Sequence, residues 1–539
     1  MKKIIILISG VFMLVTSACN KLEVEPKGFV DLGQFYKTEA DAYKALTAIY
    51  VPLAHSSFYG RDWFFAFNIL DDVTYYDRNY TNDDVFINNF NYTNTRLNNL
   101  WKNLYDGANR ATIFLENIDK INFADEDLKE AYKGEVKFLR AYYYFILSSM
   151  WGDVPLRLTG FTSVDQEMSM PATPKEEVFD FIIREMEEAE AMVYPATNFS
   201  HMGRVTKTTV QGILARVYLK QAGYPINKGK PAYEKALHWA LEVKSSNIHK
   251  LNTVYRNIFI NLSQDKYDTD FRESMWEVEF SGDNRGSNQT AGFLGSYTGI
   301  YCNDNVTPTS PGWCYGYVST TLKMEDVYVT NQTNGTTIDT ARKNWNVPNY
   351  YYSYNATTKL TSKLERAANQ LVYRNAGKFR REFIPSALNS ANEATPINFP
   401  ILRYADVLLM IAEADNEVNT GPTSIGLEAI NDVRRRAMPT IPLIALGDMD
   451  YLAFQKFIRD ERARELCYEG TRKLDLVRWG IYVYEMTTGR REMMDDARWH
   501  ANKQFASYII NFTSAKHNLY PIPSLEMSTN TKIRQNPLW

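Results

Sequence analysis

The sequence predicts a mostly α fold: stacked, tetratricopeptide-like helix pairs forming an α-solenoid scaffold, with a loop-rich, partly β face inserted into it. Three observations lead there. Apolar stripes at helical spacing recur over both ends of the 539-residue chain, joined by short connections. Between about residues 250 and 395 those stripes give way to Asn, Thr, Gly and Tyr. A composition of 45% hydrophobic and 14% aromatic residues supplies a sizeable core and excludes a disordered chain. No 34-residue sequence repeat accompanies the stripes, so any solenoid is structural only.

The elements follow in chain order. Lys2 and Lys3 lead into twelve mostly apolar residues, 4–15, and then Thr16-Ser17-Ala18-Cys19. Twelve helical residues span about 18 Å, too little for a hydrocarbon core of about 30 Å, so residues 1–18 read as an export signal. Small residues ending at a cysteine resemble a bacterial lipobox with Cys19 as the acylated residue, although Thr16 stands where Leu is usual. Plain secretion with cleavage near Ala18 is the alternative. Helical patterns then cover 39–54, 96–120 and 125–151. The next opens on Thr173, Pro174 and Glu176, the spacing of a capping box with proline in the first turn. Its stripe is Val178, Phe181, Ile182, Ala189, Met192 and Val193. Further patterns occupy 205–222 and 231–246. Trp276, Val278 and Phe280 alternate with Glu277 and Glu279, which predicts a half-buried strand. Beyond the loop-rich insert, helices are expected at 400–419, 424–437, 450–469 and 471–485, followed by a C-terminal segment, 486–539.

Charge narrows the function. Lys and Arg number 60 against 63 Asp and Glu, a balance of −3 that becomes −5 once Lys2 and Lys3 leave with the signal. That balance offers no basic surplus for a phosphate backbone, so a dedicated nucleic-acid binder is excluded. Cys302 and Cys314 flank one Gly/Pro/Asn-rich loop; in an exported chain they could be bridged or free, and spacing does not decide between the two. Cys467, between Leu466 and Tyr468, reads as a buried free thiol. Arg140, Arg216 and Arg403 each interrupt an apolar helical run. A guanidinium cannot be neutralised, so burial there demands a carboxylate partner from Glu135, Glu413, Glu461, Glu465, Glu469 or Asp475. Inter-helix pairing is the expected use, in preference to an acid/base site.

These same segments carry a family resemblance. EVKFLRAYYYFILSSMWGDVPL (135–156), residues 206–219, ILRYADVLLMIAEADNE (401–417), INDVRRRA (430–437) and IRDERARELCYEGTRKLDLVRWG (458–480) resemble, in order, the SusD/RagB family of outer-membrane nutrient-binding lipoproteins. The start KLEVEPKGFV (21–30) and the ending LYPIPSLEMSTNTKIRQNPLW (519–539) fit the same pattern. The resemblance implies one domain over 19–539: a helical scaffold at about 38–250 and 400–485 with a ligand-face insert at about 250–395. It also implies a surface lipoprotein that lids a SusC-like TonB-dependent transporter in the outer membrane of a Gram-negative bacterium. The cargo is oligosaccharide in most relatives and peptide in some.

Ligand choice lies outside the matching segments and is read from the residues. Sugars present apolar C–H faces ringed by hydroxyls, so a site for them wants aromatic planes beside directional polar groups. Two stretches supply both. The first offers Trp63, Tyr75 and Tyr76 with Asp72, Arg78 and Asn82; the second offers Tyr301, Trp313 and Tyr315 with Asn284 and Arg285. Trp345 and the Tyr350–Tyr352 run make a weaker third stretch, while Phe64, Phe65 and Phe67 are assigned to the core. Asp71-Asp72 and Asp83-Asp84 lack the spacing of a calcium loop, and neither a metal nor a cofactor is expected. HExxH, GxSxG and P-loop patterns are absent, and the six histidines are scattered. Non-catalytic glycan capture is therefore the expectation. Peptide capture, a surface glycoside hydrolase and a purely structural adaptor are the alternatives.

Overall fold

The computed structural model describes residues 35–78, 85–160, 169–282, 291–304, 307, 309–332, 335–386, 388, 393–499 and 503–539. The signal 1–18, Cys19 and the candidate residues Asn82, Asn284 and Arg285 lie outside them.

The expected helix pairs are present. α1 (Glu39–Ala54) packs on α2 (Thr95–Asn117), α3 (Glu126–Trp151) on α4 (Lys175–Met192), and α5 (Lys207–Ala222) on α6 (Lys230–Ser245). After α7 (Tyr255–Ser263) and α8 (Thr340–Asn346), α9 (Tyr404–Asn419) packs on α10 (Ser424–Ala437). α11 (Tyr451–Leu466) lies against α9, and α12 (Arg472–Arg478) follows. Successive pairs also touch, α2 on α3, α4 on α5 and, across the insert, α6 on α9. The loop-rich segment is thus extruded from a junction between two helices that remain in contact, and the solenoid runs through unbroken.

Local chemistry sets the helix starts. Thr38 and Asp41 form a reciprocal capping box on α1, and the side chains of Asn94 and Asp125 cap α2 and α3. The capping box expected of Thr173 does not form. Pro174 is the N-cap, Lys175 N–H donates instead to Asp153 Oδ1 at 3.0 Å, and Thr173 is held by a two-way backbone bridge to Val154. A residue committed to that bridge cannot turn its hydroxyl onto the helix end.

The strands are short and antiparallel: β1 (Thr74–Tyr76) with β3 (Val318–Thr320), β2 (Ser274–Val278) with β8 (Phe399–Arg403), β4 (Val329–Gln332) with β5 (Gly335–Ile338), and β6 (Tyr350–Asn355) with β7 (Leu360–Glu365). The β2–β8 pair closes the neck of the insert, where the chain leaves and re-enters the scaffold. Two expectations change at this neck. Residues 400–403 are strand rather than helix, and β2 is buried on both faces rather than one. Glu277 is therefore inside, accepting from Asn398 Nδ2 at 3.1 Å, and burial pushes its carboxyl up to about 7.

Beneath the neck lies an ionic lattice. Arg403 on β8 meets Glu469 at 2.7 Å, Glu273 at 3.0 Å and Glu465 at 3.1 Å. Arg436 on α10 reaches the same Glu465 at 2.5 Å and Glu273 at 3.0 Å. From the insert, Arg342 on α8 binds Asp339, Glu461 and Glu465, and Lys378 binds Glu469 at 2.7 Å. A second chain runs through the scaffold from Arg216 to Asp406, Arg462, Asp475, Arg478 and Glu413. Arg140 pairs with Glu185 at 2.5 Å between α3 and α4. Three guanidinium groups hold the Glu465 carboxyl down to about 2 against the opposing effect of burial. Segment 458–480 is thus the charged floor on which insert and scaffold meet.

Candidate functional site

The second sequence stretch alternates Trp313, Tyr315 and Tyr317. Its chain turns at Gly312, just before it, and at Gly316, within it, at φ of +99° and +55°. A Cβ on Gly312 would strike the Arg381 guanidinium at 2.7 Å, and one on Gly316 would lie 2.9 Å from both Asn375 and Tyr301. From Gly316 the chain runs into β3, which pairs with β1 so that Val318 opposes Tyr76, and Asp77 N–H donates to Tyr317 O at 2.8 Å. This pairing brings the two sequence stretches side by side.

The result is a column of parallel rings. Phe86 and Tyr76 stack at 4.5 Å, Tyr76 and Tyr317 at 5.4 Å, and Tyr317 and Tyr315 at 4.6 Å, with interplanar angles of 14°, 14° and 10°. Trp313 stands edge-on to Tyr315 at 5.7 Å and ends the column. Arg78 lies 5.2 Å over the Tyr317 ring while donating to the carbonyls of Asp77 and Tyr315. Glu393 accepts from the hydroxyls of Tyr297 and Tyr315, and burial together with that carboxylate raises the Tyr315 phenol above its ordinary value. Asn375 joins Tyr301 N–H to Gly316 O, and the Tyr301 ring approaches Tyr351, which carries Arg366 at 4.8 Å. Trp313 is only partly covered, yet its indole N–H is buried and finds no acceptor among the described residues. Half-covered rings with a guanidinium beside them are what a hydroxyl-rich, flat-faced ligand would use.

Of the candidates, Tyr76, Arg78, Tyr301, Trp313 and Tyr315 come together on this face. Trp63, Tyr75 and Asp72 go elsewhere. Trp63 is buried among Phe58, Tyr59 and Gly470, where a Cβ would lie 2.5 Å from its indole nitrogen. Tyr75 points inward from β1, opposite in phase to Tyr76, and donates to Val372 O at 2.5 Å. Asp72 is fully buried between Arg472 at 2.7 Å and Lys323 at 2.6 Å, whose charges hold its carboxyl far below the usual range despite burial. Asp71 turns away to the N–H groups of Val73 and Thr74 and is pushed up to about 6 by burial and by Asp72, so the two carboxyls do not share a ligand.

Tyr297 and Tyr317, which the second sequence stretch also contains, join the face beside Tyr315. The sequence reading missed Phe86, Glu393 and Arg366; these reach the face only through the fold, and no local pattern marks them. Trp345 is buried, with Arg380 3.9 Å over its ring. Tyr350 and Tyr352 are tied to Glu382 at 2.6 and 2.7 Å.

Residues 272–539 match the model of the SusD family, and residues 34–219 match a model described as starch-binding associating with outer membrane. A SusD-like protein of Formosa agariphila is 25% identical, with 94% of this chain and 93% of that protein aligned. The starch-binding protein SusD of Bacteroides thetaiotaomicron is 24% identical over 75% of this chain and 72% of its own. Among solved structures, a SusD homologue from Bacteroides thetaiotaomicron superposes with a TM-score of 0.82 at 25% identity, covering 93% of this chain and 97% of that one. A surface glycan-binding protein of the same organism, solved with laminarihexaose, gives 0.68 at 22% identity, covering 93% and 100%.

Proposed function

Because the chain belongs to the SusD family, we propose that it is a cell-surface lipoprotein, anchored through Cys19, that captures oligo- or polysaccharide without chemistry and passes it to a TonB-dependent transporter in the outer membrane. The observation that carries the reading is the ring column Phe86–Tyr76–Tyr317–Tyr315 ending at Trp313, with Arg78 beside it. The partly exposed rims of Tyr76, Tyr317 and Tyr315 and the partly exposed Trp313 ring offer aromatic surface to the C–H faces of sugar rings, and Arg78 supplies direction. The laminarihexaose complex of a protein with the same fold supports glycan as the cargo class. The outer-membrane description of the matched model supports the location. Glu393 is engaged by two tyrosines as an acceptor, which suits a group that positions rings more than one that moves protons.

The test is native electrophoresis of residues 20–539 through gels cast with a panel of polysaccharides, with soluble peptides as competitors. Retardation by one glycan family, indifferent to peptides and without released product, is expected. Free migration in every glycan gel would shift the cargo to short oligosaccharides or peptides, and retardation abolished by peptide would assign it to peptides and the aromatic face to packing.

A further inference from the structure

We infer that Cys302 and Cys314 are the site of an intramolecular disulfide that closes the loop presenting Trp313, formed by exchange with a low-molecular-weight or protein disulfide. The two residues face each other across an antiparallel bridge: Cys302 N–H donates to Cys314 O at 2.9 Å, and Cys314 N–H donates to Cys302 O at 3.0 Å. Residues in such a reciprocally bonded pair have Cα atoms about 5.5 Å apart and side chains on the same side, inside the 4.4–6.8 Å window of disulfides. Both are buried, and both are reduced in the structure.

The two thiols have separate neighbours. Cys302 Sγ donates to Asp304 O at 3.4 Å and lies 3.6 Å from Ser310 Oγ. Cys314 Sγ occupies the space that Gly299 leaves open, where a Cβ would come within 3.2 Å. These are weak contacts that a sulfur gives up readily. The third described cysteine does not compete, because Cys467 is enclosed in a separate cluster with Tyr328 and Met324. The loop also returns to one place by itself: Asp304 accepts from Thr307 and Thr361, and Arg381 donates to Trp313 O at 2.8 Å.

The exchange balances. The Cys302 thiolate attacks one sulfur of the oxidant and expels its first thiolate; Cys314 then attacks the mixed disulfide at Cys302 and expels the second. Two cysteine thiols are oxidised, one external disulfide is reduced, and the two protons pass to the departing sulfurs. Burial raises both thiols, Cys314 up to about 12, so exchange belongs to the open loop during folding, and the closed bond is screened from reductants. Trp313 and Tyr315 flank Cys314, so the bond fixes the end of the ring column. That consequence rests on the proposed function, whereas the bond itself does not.

The test uses residues 20–539, whose cysteines are Cys302, Cys314 and Cys467, refolded in a glutathione/glutathione disulfide buffer, alkylated in denaturant without reduction, and mapped by peptide mass. Expected are an alkylated Cys467 and a linked pair of Cys302 and Cys314 peptides, with all three alkylated only after reduction. Alkylation of Cys302 and Cys314 before reduction would overturn the inference. The double variant Cys302→Ser/Cys314→Ser is expected to fold and to lose glycan affinity several-fold. A linked peptide pair in a protein that binds no glycan would sink the proposed function and leave the disulfide standing.

Discussion

The ionic lattice under the insert and the ring column on its face use the same kinds of side chain to opposite ends. At the neck every named guanidinium meets at least one carboxylate inside the molecule, and Glu465 alone receives Arg342, Arg403 and Arg436. On the face, Arg78 donates to backbone carbonyls and covers a ring, and the Trp313 N–H has no acceptor among the described residues. Buried guanidinium–carboxylate pairing marks the part that holds the fold, and partly exposed rings beside a guanidinium mark the part offered to a ligand. Charge and aromaticity alone therefore do not identify a site; what matters is whether their partners are already present.

The sharpest way to break this comparison is to remove one charge from the lattice. Arg403→Met leaves Glu273, Glu465 and Glu469 with Arg436, Arg342 and Lys378 but one positive charge short of the wild-type lattice, and an uncompensated buried charge costs about 3–5 kcal/mol. Calorimetry should show a much lower melting temperature or no folded protein. Arg140→Met is the control at the lattice edge, where Lys137 remains 3.6 Å from Glu185, so a smaller loss of about 1–2 kcal/mol is expected. Equal melting of Arg403→Met and wild type would show that the lattice is incidental.

Stability should also carry the signature of two opposite kinds of buried acid. Glu465, Glu413 and Asp406 are held down to about 2 by their arginines. Their folded values lie below the unfolded ones, so their contribution is present above about pH 4.5 and is lost as pH falls toward 2. Glu277 is the reverse. Its folded value of about 7 exceeds the unfolded one, so its contribution is complete below about pH 4.5 and is lost as pH rises through 7. Melting temperature against pH should therefore peak in the weakly acidic range. Glu277→Gln, which can still accept from Asn398, should flatten the neutral limb by on the order of 1 kcal/mol and leave the acid limb unchanged. An unaltered neutral limb would mean that Glu277 titrates normally and that water reaches β2.

How much of this was legible follows from where the determining partner sits. Arg140, Arg216 and Arg403 announce themselves in sequence because no apolar run tolerates a lone guanidinium, whatever the fold. Helix starts such as Thr38 and Asn94 are equally local. Trp63, Tyr75 and Asp72 look the same in sequence as Tyr76 and Arg78, and only the β1–β3 pairing decides that Tyr76 faces out while Tyr75 faces in. At Thr173 the local signal gives no cap, and its backbone is bridged to Val154 just beyond α3. Glu393, more than seventy residues from its nearer phenol, has no sequence signal at all.

The smallest expected energy change is the most telling for the ring column. Trp313→Ala removes an indole that ends the column and whose N–H finds no acceptor among the described residues. Little packing is lost, because Gly312, Gly316 and Arg381 set the path of this segment through the backbone and not through the ring. The melting temperature should stay near that of wild type, while glycan affinity falls at least tenfold, about 1.4 kcal/mol. The pattern is the inverse of Arg403→Met: a partly exposed ring at the end of the column gives a binding defect in a stable protein, a guanidinium enclosed by carboxylates a folding defect. Titration calorimetry of the folded variant separates the two. A large drop in melting temperature with unchanged affinity would move Trp313 from the face to the frame, and the ring column would then begin at Tyr315.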